Sequence, residues 1–429
     1  MAFEEIQLTD GAQGHCLHNT QCFSPDNQWI VYDSRNHDTL ISSTGSIEMV
    51  HVETGEIKEI YQTSNQTAFG PGVGAATFSP TSYQVLFIHG IRNADEHNPY
   101  GFTRRTGVSI KTAEPFRPIF MDARDIAEPF TAGALRGGTH AHTWSGDGQW
   151  ISFTYNDFIV QQDLRTVGVM APFGPVAVPD DGSLENNSGA LFSVVVADIT
   201  ENPVPGSDEI DKAFDEGWIG TEGYQKEDGR WQKRAIAFQG NVKDSSGHTK
   251  TEVFVLDLPE DITQAQPGQP LAGTTSTRPN VPAGVEQRRI TFTEQGIAGP
   301  RHWLRTTHNG SLIGFLAKDK QGVVQIFGVS PNGGKIRQLT FNAFPVEGPF
   351  NFSPDGKYVA YPADRSIYIT ELETGITYRA SQQFSEEEAP VGGVSWSGDG
   401  QMLAYNRYVG KGAGRFLQIF VLTKVSSLS

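Results

Sequence analysis

The amino-acid sequence predicts an all-β, seven-bladed β-propeller, with eight blades as the runner-up. Three observations lead there. An aromatic-Ser turn occurs five times, as Phe23-Ser24-Pro25-Asp26-Asn27, Phe78-Ser79-Pro80-Thr81-Ser82, Trp144-Ser145-Gly146-Asp147-Gly148, Phe352-Ser353-Pro354-Asp355-Gly356 and Trp396-Ser397-Gly398-Asp399-Gly400. After each turn comes a run such as Trp29-Ile30-Val31-Tyr32 or Tyr358-Val359-Ala360-Tyr361, which reads as a strand. The 47 Gly, 24 Pro and 26 Phe suit many short strands joined by turns. One unit repeated at roughly 45–65 residue intervals is the signature of blades set around an axis.

Each element has a local reason. Pro or Gly with Asp closes the turn, and Gly or Asn supplies the residue at positive φ. The aromatic ends one strand and the apolar run begins the next. Hairpins at Val52-Glu53-Thr54-Gly55, Pro331-Asn332-Gly333-Gly334 and Leu372-Glu373-Thr374-Gly375 join the outer strands. A degenerate turn, Thr306-Thr307-His308-Asn309-Gly310, precedes Leu312-Ile313-Gly314-Phe315. Between Trp144 and Thr306, the runs Arg234-Ala235-Ile236-Ala237-Phe238 and Glu252-Val253-Phe254-Val255-Leu256 supply one further blade. Ile6-Gln7-Leu8-Thr9 repeats the outer-strand motif Ile336-Arg337-Gln338-Leu339-Thr340. The N-terminal strand is therefore expected to pair with the last blade, which removes a sheet edge. Residues 1–429 read as a single propeller domain, with 265–283 as a long loop.

The formal charge of −16 argues against nucleic acid or an anionic membrane as partner. A small anion needs only a local basic pocket and stays open. No stretch approaches the ~18 apolar residues of a membrane span. The start, Met1-Ala2-Phe3-Glu4-Glu5, lacks the features of a signal peptide, so the chain reads as cytoplasmic, or periplasmic if a leader was removed. Cys16 and Cys22 are the only cysteines; they flank His18 and are too few for a disulfide framework.

The tight turns belong to one face of the ring, and the exits of the second strands to the other. Insertions at 33–46, 89–106 and 155–190 lengthen that second rim, and long loops gathered on one rim commonly carry function. Counting back from the turn aromatic, His140 lies four before Trp144, His302 four before Thr306, His18 five before Phe23 and His142 two before Trp144. The equivalents elsewhere, Gly74, Gly348 and Gly392, are small. The four histidines are candidate ligands of a divalent metal, manganese or similar. Arg35, His89, Arg92 and Arg407 stand at strand exits as candidate substrate contacts. Arg104-Arg105 closes the 89–106 insertion, and arginine matches a carboxylate with two parallel hydrogen bonds.

The repeats resemble those of TolB propellers. The segment between Gly74 and Asp157 is similar to oligogalacturonate lyases in its order of parts. Phe87-Ile88-His89-Gly90 comes first, then a loop ending in arginine, then Thr139-His140 leading to Trp144 and Asp147-Gly148. The whole chain also resembles the YidR-type propeller proteins of enteric bacteria, which implies no particular activity. The lyase resemblance implies a metal-assisted β-elimination on acidic sugars or uronide oligosaccharides. It places the catalytic arginine on Arg104 or Arg105 and the Thr-His pair on Thr139-His140. A small anionic carbohydrate is then the partner. The alternative is a non-catalytic TolB-like propeller that binds a protein or peptide across its rim. A third reading is a hydrolase using a carboxylate pair drawn from Asp33, Asp38, Asp157 and Asp364.

Overall fold

Seven antiparallel sheets surround one axis, and no α-helix occurs among the described residues. The structure, a computed structural model, describes residues 2–160 and 163–425. Blade 1 comprises Trp29–Asp33, Ser46–His51 and Ile57–Gln62, with the irregular segment 16–23 bridged to its inner edge at Asp33 and Ile30. Blade 2 runs outward through Val73–Phe78, Gln84–Gly90, Arg105–Lys111 and Ile119–Phe120. Blade 3 uses Gly137–Trp144, Ile151–Asp157, Thr166–Ala171 and Phe192–Val195. Blade 4 uses Ile210–Trp218, Ala235–Lys243, Thr249–Asp257 and Glu286–Arg289. Blades 5 and 6 begin at Arg305–Thr306 and Asn351–Phe352. Blade 7 takes Pro390–Trp396, Met402–Val409 and Phe416–Lys424, and its outer strand is Phe3–Gln7 from the other end of the chain. The count is seven, not the eight of the runner-up.

The recurring turn is held by its own side chains. Ser24, Ser145, Ser353 and Ser397 each donate to the Asp two residues on at 2.6 Å. The same serine oxygens accept the amides of Trp29, Trp150, Tyr358 and Met402 at 2.9–3.0 Å. Asn27, Gly148, Gly356 and Gly400 follow the Asp at φ 62–68°, a region that favours Asn and Gly. Thr307 and Asn309 reproduce the arrangement at the degenerate turn, at 2.8 Å. In blade 2, Thr81 stands where the others have Asp, and its contact with Ser79 is 3.4 Å.

Closure is as expected. Phe3–Gln7 pairs antiparallel with Phe416–Lys424, from Phe3 opposite Lys424 to Gln7 opposite Phe420. Thr9 donates to Gln418 at 2.9 Å. Arg407 donates to Glu5 at 3.0 Å and lies over the rings of Phe384 and Phe420. Arg407 is therefore a clamp on the closing strand and not the substrate contact expected from sequence.

The core lies between blades. Val31, Ile47 and Ile60 of blade 1 pack against Phe78, Phe87 and Val108 of blade 2, and each such burial contributes about 1.5–3 kcal/mol. Blade 4 departs most from the repeat. Trp218 holds the turn aromatic's place but is followed by Ile219-Gly220-Thr221 and a small hairpin of Tyr224–Gln225 with Trp231–Gln232. Without the Ser-Pro-Asp signal, the strand Ile210–Trp218 is not legible as the inner one.

Three inner strands share a bulge. Ala75, Ala141 and Asp215 sit at φ 57°, 56° and 50°, each three residues before the aromatic. Register shifts there in all three blades. Two residues then oppose one, and the alternation of faces breaks.

Ser353→Ala is expected to cost about 1–2 kcal/mol, because it removes the acceptor of the half-buried Tyr358 amide and the partner of Asp355. Ser79→Ala is expected to cost visibly less. Equal shifts of the urea midpoint in the two variants would refute this account of the turn.

Candidate functional site

The face opposite the tight turns has a mouth built from blades 1 to 5. Loop 91–104 leaves blade 2 and crosses the inner strand of blade 3. A Cβ at Gly138 would lie 2.1 Å from the Phe102 carbonyl oxygen, so only glycine allows the crossing. Arg105 follows the loop and is 4% exposed. It donates to the Tyr100 hydroxyl at 3.2 Å, while its Nε and Nη2 have no partner. Phe102, 62% exposed, has the guanidiniums of Arg105 and Arg165 at 5.1 and 5.3 Å from its ring centre. Across from them, Arg301 lies 4.5 Å over Trp303 and pairs with Asp215 at 3.1 Å. The Trp303 ring meets His18 edge-on at 5.9 Å.

Charge at the mouth is unbalanced. Burial lowers the pKa of Arg105, and repulsion from Arg301 lowers it further. Burial does the same to Arg165, with repulsion from both Arg105 and Arg301. Burial holds His140 well below 6.5, and Arg105, Arg165 and Arg301 add to the effect. His140 is thus a neutral imidazole at neutral pH, and its Nδ1 has no hydrogen-bond partner. Asp215 is the carboxylate that faces this cluster, and burial raises its pKa against the pull of Arg301 and Arg165. In a chain of net charge −16, the three guanidiniums against Asp215, with Asp163 acting on Arg165 from outside, leave an excess of positive charge at the mouth.

The other residues singled out from sequence have structural employment. Arg35 is 2% exposed and grips Asp33 with Nε and Nη2 at 2.6 and 2.9 Å. Asp33 in turn accepts the Ala75 amide of blade 2 at 2.9 Å. His89 is buried with its Nε2 at 2.9 Å from the Tyr61 hydroxyl and its Nδ1 against the Gly90 carbonyl. Arg104 is engaged by Glu185 and Asn93, which pin the 155–190 insertion. Arg92 donates to the Asn186 carbonyl at 3.1 Å and covers Phe120. Of the arginines expected to meet substrate, Arg105 keeps a free guanidinium edge.

The four-histidine metal set is not assembled. Among the described residues no three His, Cys, Asp or Glu side chains gather as ligands. The bulge at Ala141 sends His142 away from His140, into the wall between blades 2 and 3. There its Nε2 reaches the Thr139 hydroxyl at 2.9 Å, and Thr139 donates to Asp122 at 3.0 Å. His302 accepts the Leu316 amide at Nε2, 3.1 Å, and places Nδ1 2.9 Å from the Pro300 carbonyl. Both of its nitrogens are spent inside blade 5. Cys16 and Cys22 are buried, and burial pushes both thiols up to about 12. Of the small residues at the equivalent depth, Gly392 faces open space, whereas Gly74 and Gly348 are packed against neighbours. A Cβ at Gly74 would sit 3.0 Å from Arg35 Nε, and one at Gly348 2.8 Å from the Gly392 carbonyl.

The carboxylates proposed as a hydrolytic pair are also committed. Asp157 receives Arg136 at 3.0 and 3.1 Å and the Tyr155 hydroxyl at 2.7 Å. Asp38 pairs with Arg35 at 3.0 Å, and Asp364 accepts Gln383 at 2.8 Å. Sequence reasoning missed Arg165, Asp215, Arg301 and Trp303. Reading Trp218 as a turn aromatic would have placed Asp215, and Arg301 and Trp303 flank His302.

Residues 72–185 match a family described as "Protein of unknown function (DUF3748)". Over 413 residues the chain is 39% identical to "Uncharacterized protein YidR" of Escherichia coli (strain K12), covering 93% of this chain and 94% of that one. The chain belongs to the YidR family. Two solved structures share the fold. An oligogalacturonate lyase from Vibrio parahaemolyticus is 9% identical with a TM-score of 0.51, covering 100% of this chain and 99% of that one. A puromycin hydrolase is 12% identical with a TM-score of 0.51; 94% of this chain is covered, and it spans about half, 51%, of the hydrolase. For this YidR-family chain, the matched segment 72–185 holds Phe102, Arg105, His140 and Arg165, the blade 2 and 3 side of the mouth.

Buried neutral histidines tie the fold to pH. Burial pushes His89 and His302 down to about 4 and His142 to about 3. Between those values and 6.5 the unfolded chain binds protons that the fold refuses. Their contribution is complete above pH 6.5 and is lost as pH falls toward 4. The melting temperature is expected to drop between neutral pH and pH ~5; a flat profile there would contradict the assignment.

Proposed function

We propose that this protein binds an acidic sugar or uronide oligosaccharide at the mouth and cleaves it by β-elimination, with arginine neutralising the substrate carboxylate. One observation carries the reading. Arg105 is buried, repelled by its neighbours and left with two unpartnered donors beside His140. A desolvated guanidinium without an acceptor is costly, and an incoming carboxylate relieves that cost. Arg105 and Arg165 would hold the carboxylate, while Phe102 and Trp303 offer apolar faces to the sugar ring. The donor set for a metal is not grouped here, so the neutralising role falls to the arginines.

Neutral His140 is suited to accept the proton beside the carboxylate. That carbon–hydrogen bond breaks, a carbon–carbon double bond forms, and the glycosidic oxygen leaves and takes a proton from water, whose hydroxide takes back the proton held by His140. A second reading, binding without turnover, has one observation in its favour. Asp215, which faces the arginine cluster, is already bound to Arg301 and so is not free to serve as a base.

Two measurements decide. Arg105→Met is expected to weaken galacturonide binding by about 10–100-fold in calorimetry, the loss of one or two charge-assisted bonds. No binding of any uronide to the unaltered protein would overturn the anion reading. Turnover would be followed by the ultraviolet absorbance of the unsaturated product, and His140→Ala is expected to abolish it while keeping most of the binding. Because the His140 pKa is held well below 6.5, the rate should fall only as pH drops below that value, where the base becomes protonated. Binding without product would leave the second reading in place of the first.

A further inference from the structure

Between blades 3 and 4 lies a cavity of about 590 Å³ roofed by the insertion 258–285. Its lining includes Gln266, Gln269, Arg278, Asn280 and Asp198. Much of their hydrogen-bonding capacity is unspent. Arg278 donates through Nη2 to the Ile199 carbonyl at 3.0 Å, yet its Nη1 is buried without a partner. Gln266 and Asn280 each donate to a backbone carbonyl, at 3.3 and 2.7 Å, which leaves their amide oxygens as acceptors. Gln269 is exposed to the cavity and neither end of its amide is engaged. Amides, a carboxylate and a guanidinium together present donors and acceptors in mixed order. That chemistry fits adjacent hydroxyls, each of which both donates and accepts.

The cavity adjoins the mouth through three consecutive residues. Leu164 and Thr166 line it, while Arg165 between them joins the mouth cluster beside Phe102. The roof is itself fastened to blade 3, because Arg136 donates to the Thr274 and Thr277 carbonyls. We infer that this cavity is a second subsite, lodging the next hydroxyl-rich sugar residues of a chain whose charged unit sits at the mouth. The inference rests on the mouth reading above and deepens it: the ligand is an oligosaccharide, not a single sugar.

The test compares galacturonate with tetragalacturonate by calorimetry on the full chain. The unaltered protein is expected to bind the tetramer at least about tenfold more tightly than the monomer. Gln269→Leu and Arg278→Met should each remove most of that advantage and leave monomer affinity unchanged. Gln269 makes no side-chain bond, so its variant tests the cavity without disturbing the roof, and melting temperatures check that both variants fold. Equal affinity for monomer and tetramer, or cavity variants indistinguishable from the parent, would overturn the subsite while leaving the mouth intact. Failure of both ligands to bind the parent protein would overturn the mouth reading and the subsite with it.

Discussion

A guanidinium withdrawn from water needs an acceptor, and this requirement sorts the arginines of the open face. Arg35 answers it with Asp33, Arg104 with Glu185, Arg136 with Asp157 and Arg407 with Glu5. Two of these pairs also tie parts of the ring together: Asp33 joins blade 1 to blade 2 through the Ala75 amide, and Arg407 joins blade 7 to the closing strand. Arg305 spans further, reaching Asn19 of blade 1 and Asn351 of blade 6. Breaking such a pair strands a buried charge, which is far more costly than losing an exposed one. Arg105 is the exception that gives the mouth its character, since two of its donors remain unanswered.

Much of the fold was legible because the turn is self-contained. Serine and aspartate supply the side-chain bonds of the bend and a glycine or asparagine its positive φ, all within five residues, so where the motif occurs it marks a blade regardless of its neighbours. The closing strand was legible for a similar reason, as Ile6-Gln7-Leu8-Thr9 copies an outer-strand pattern. Blade 4 was not, because Trp218 lacks the serine and aspartate that advertise the turn. His140 and Arg105 were found by position, but the partners of the remaining candidates were not. Whether an arginine is free depends on a carboxylate that is distant in sequence, such as Glu185 for Arg104.

The bulge explains the main error about the histidines. Alternation places His140 and His142 on one face, as it does in any regular strand. Ala141 at positive φ turns one toward the mouth and the other into the wall with Thr139 and Asp122. No residue type in Thr139-His140-Ala141-His142 announces that conformation, since alanine has no preference for it. The same device at Asp215 aims a carboxylate at Arg301, so one irregularity of the backbone arranges both sides of the mouth.

The sharing of blade 7 between the two ends of the chain has a consequence for synthesis. Phe3–Gln7 leaves the ribosome long before its partner Phe416–Lys424. Thr9 and Gln418, which bond directly, are 409 positions apart. Blades 2 to 6 draw their hydrogen bonds locally and can form in order as they emerge, but the ring stays an open arc until Phe416–Lys424 is available. During that interval two strand edges stay unpaired. Such long-range pairing is slow to find, so the vulnerable species for this protein is a nascent chain that has not yet closed blade 7.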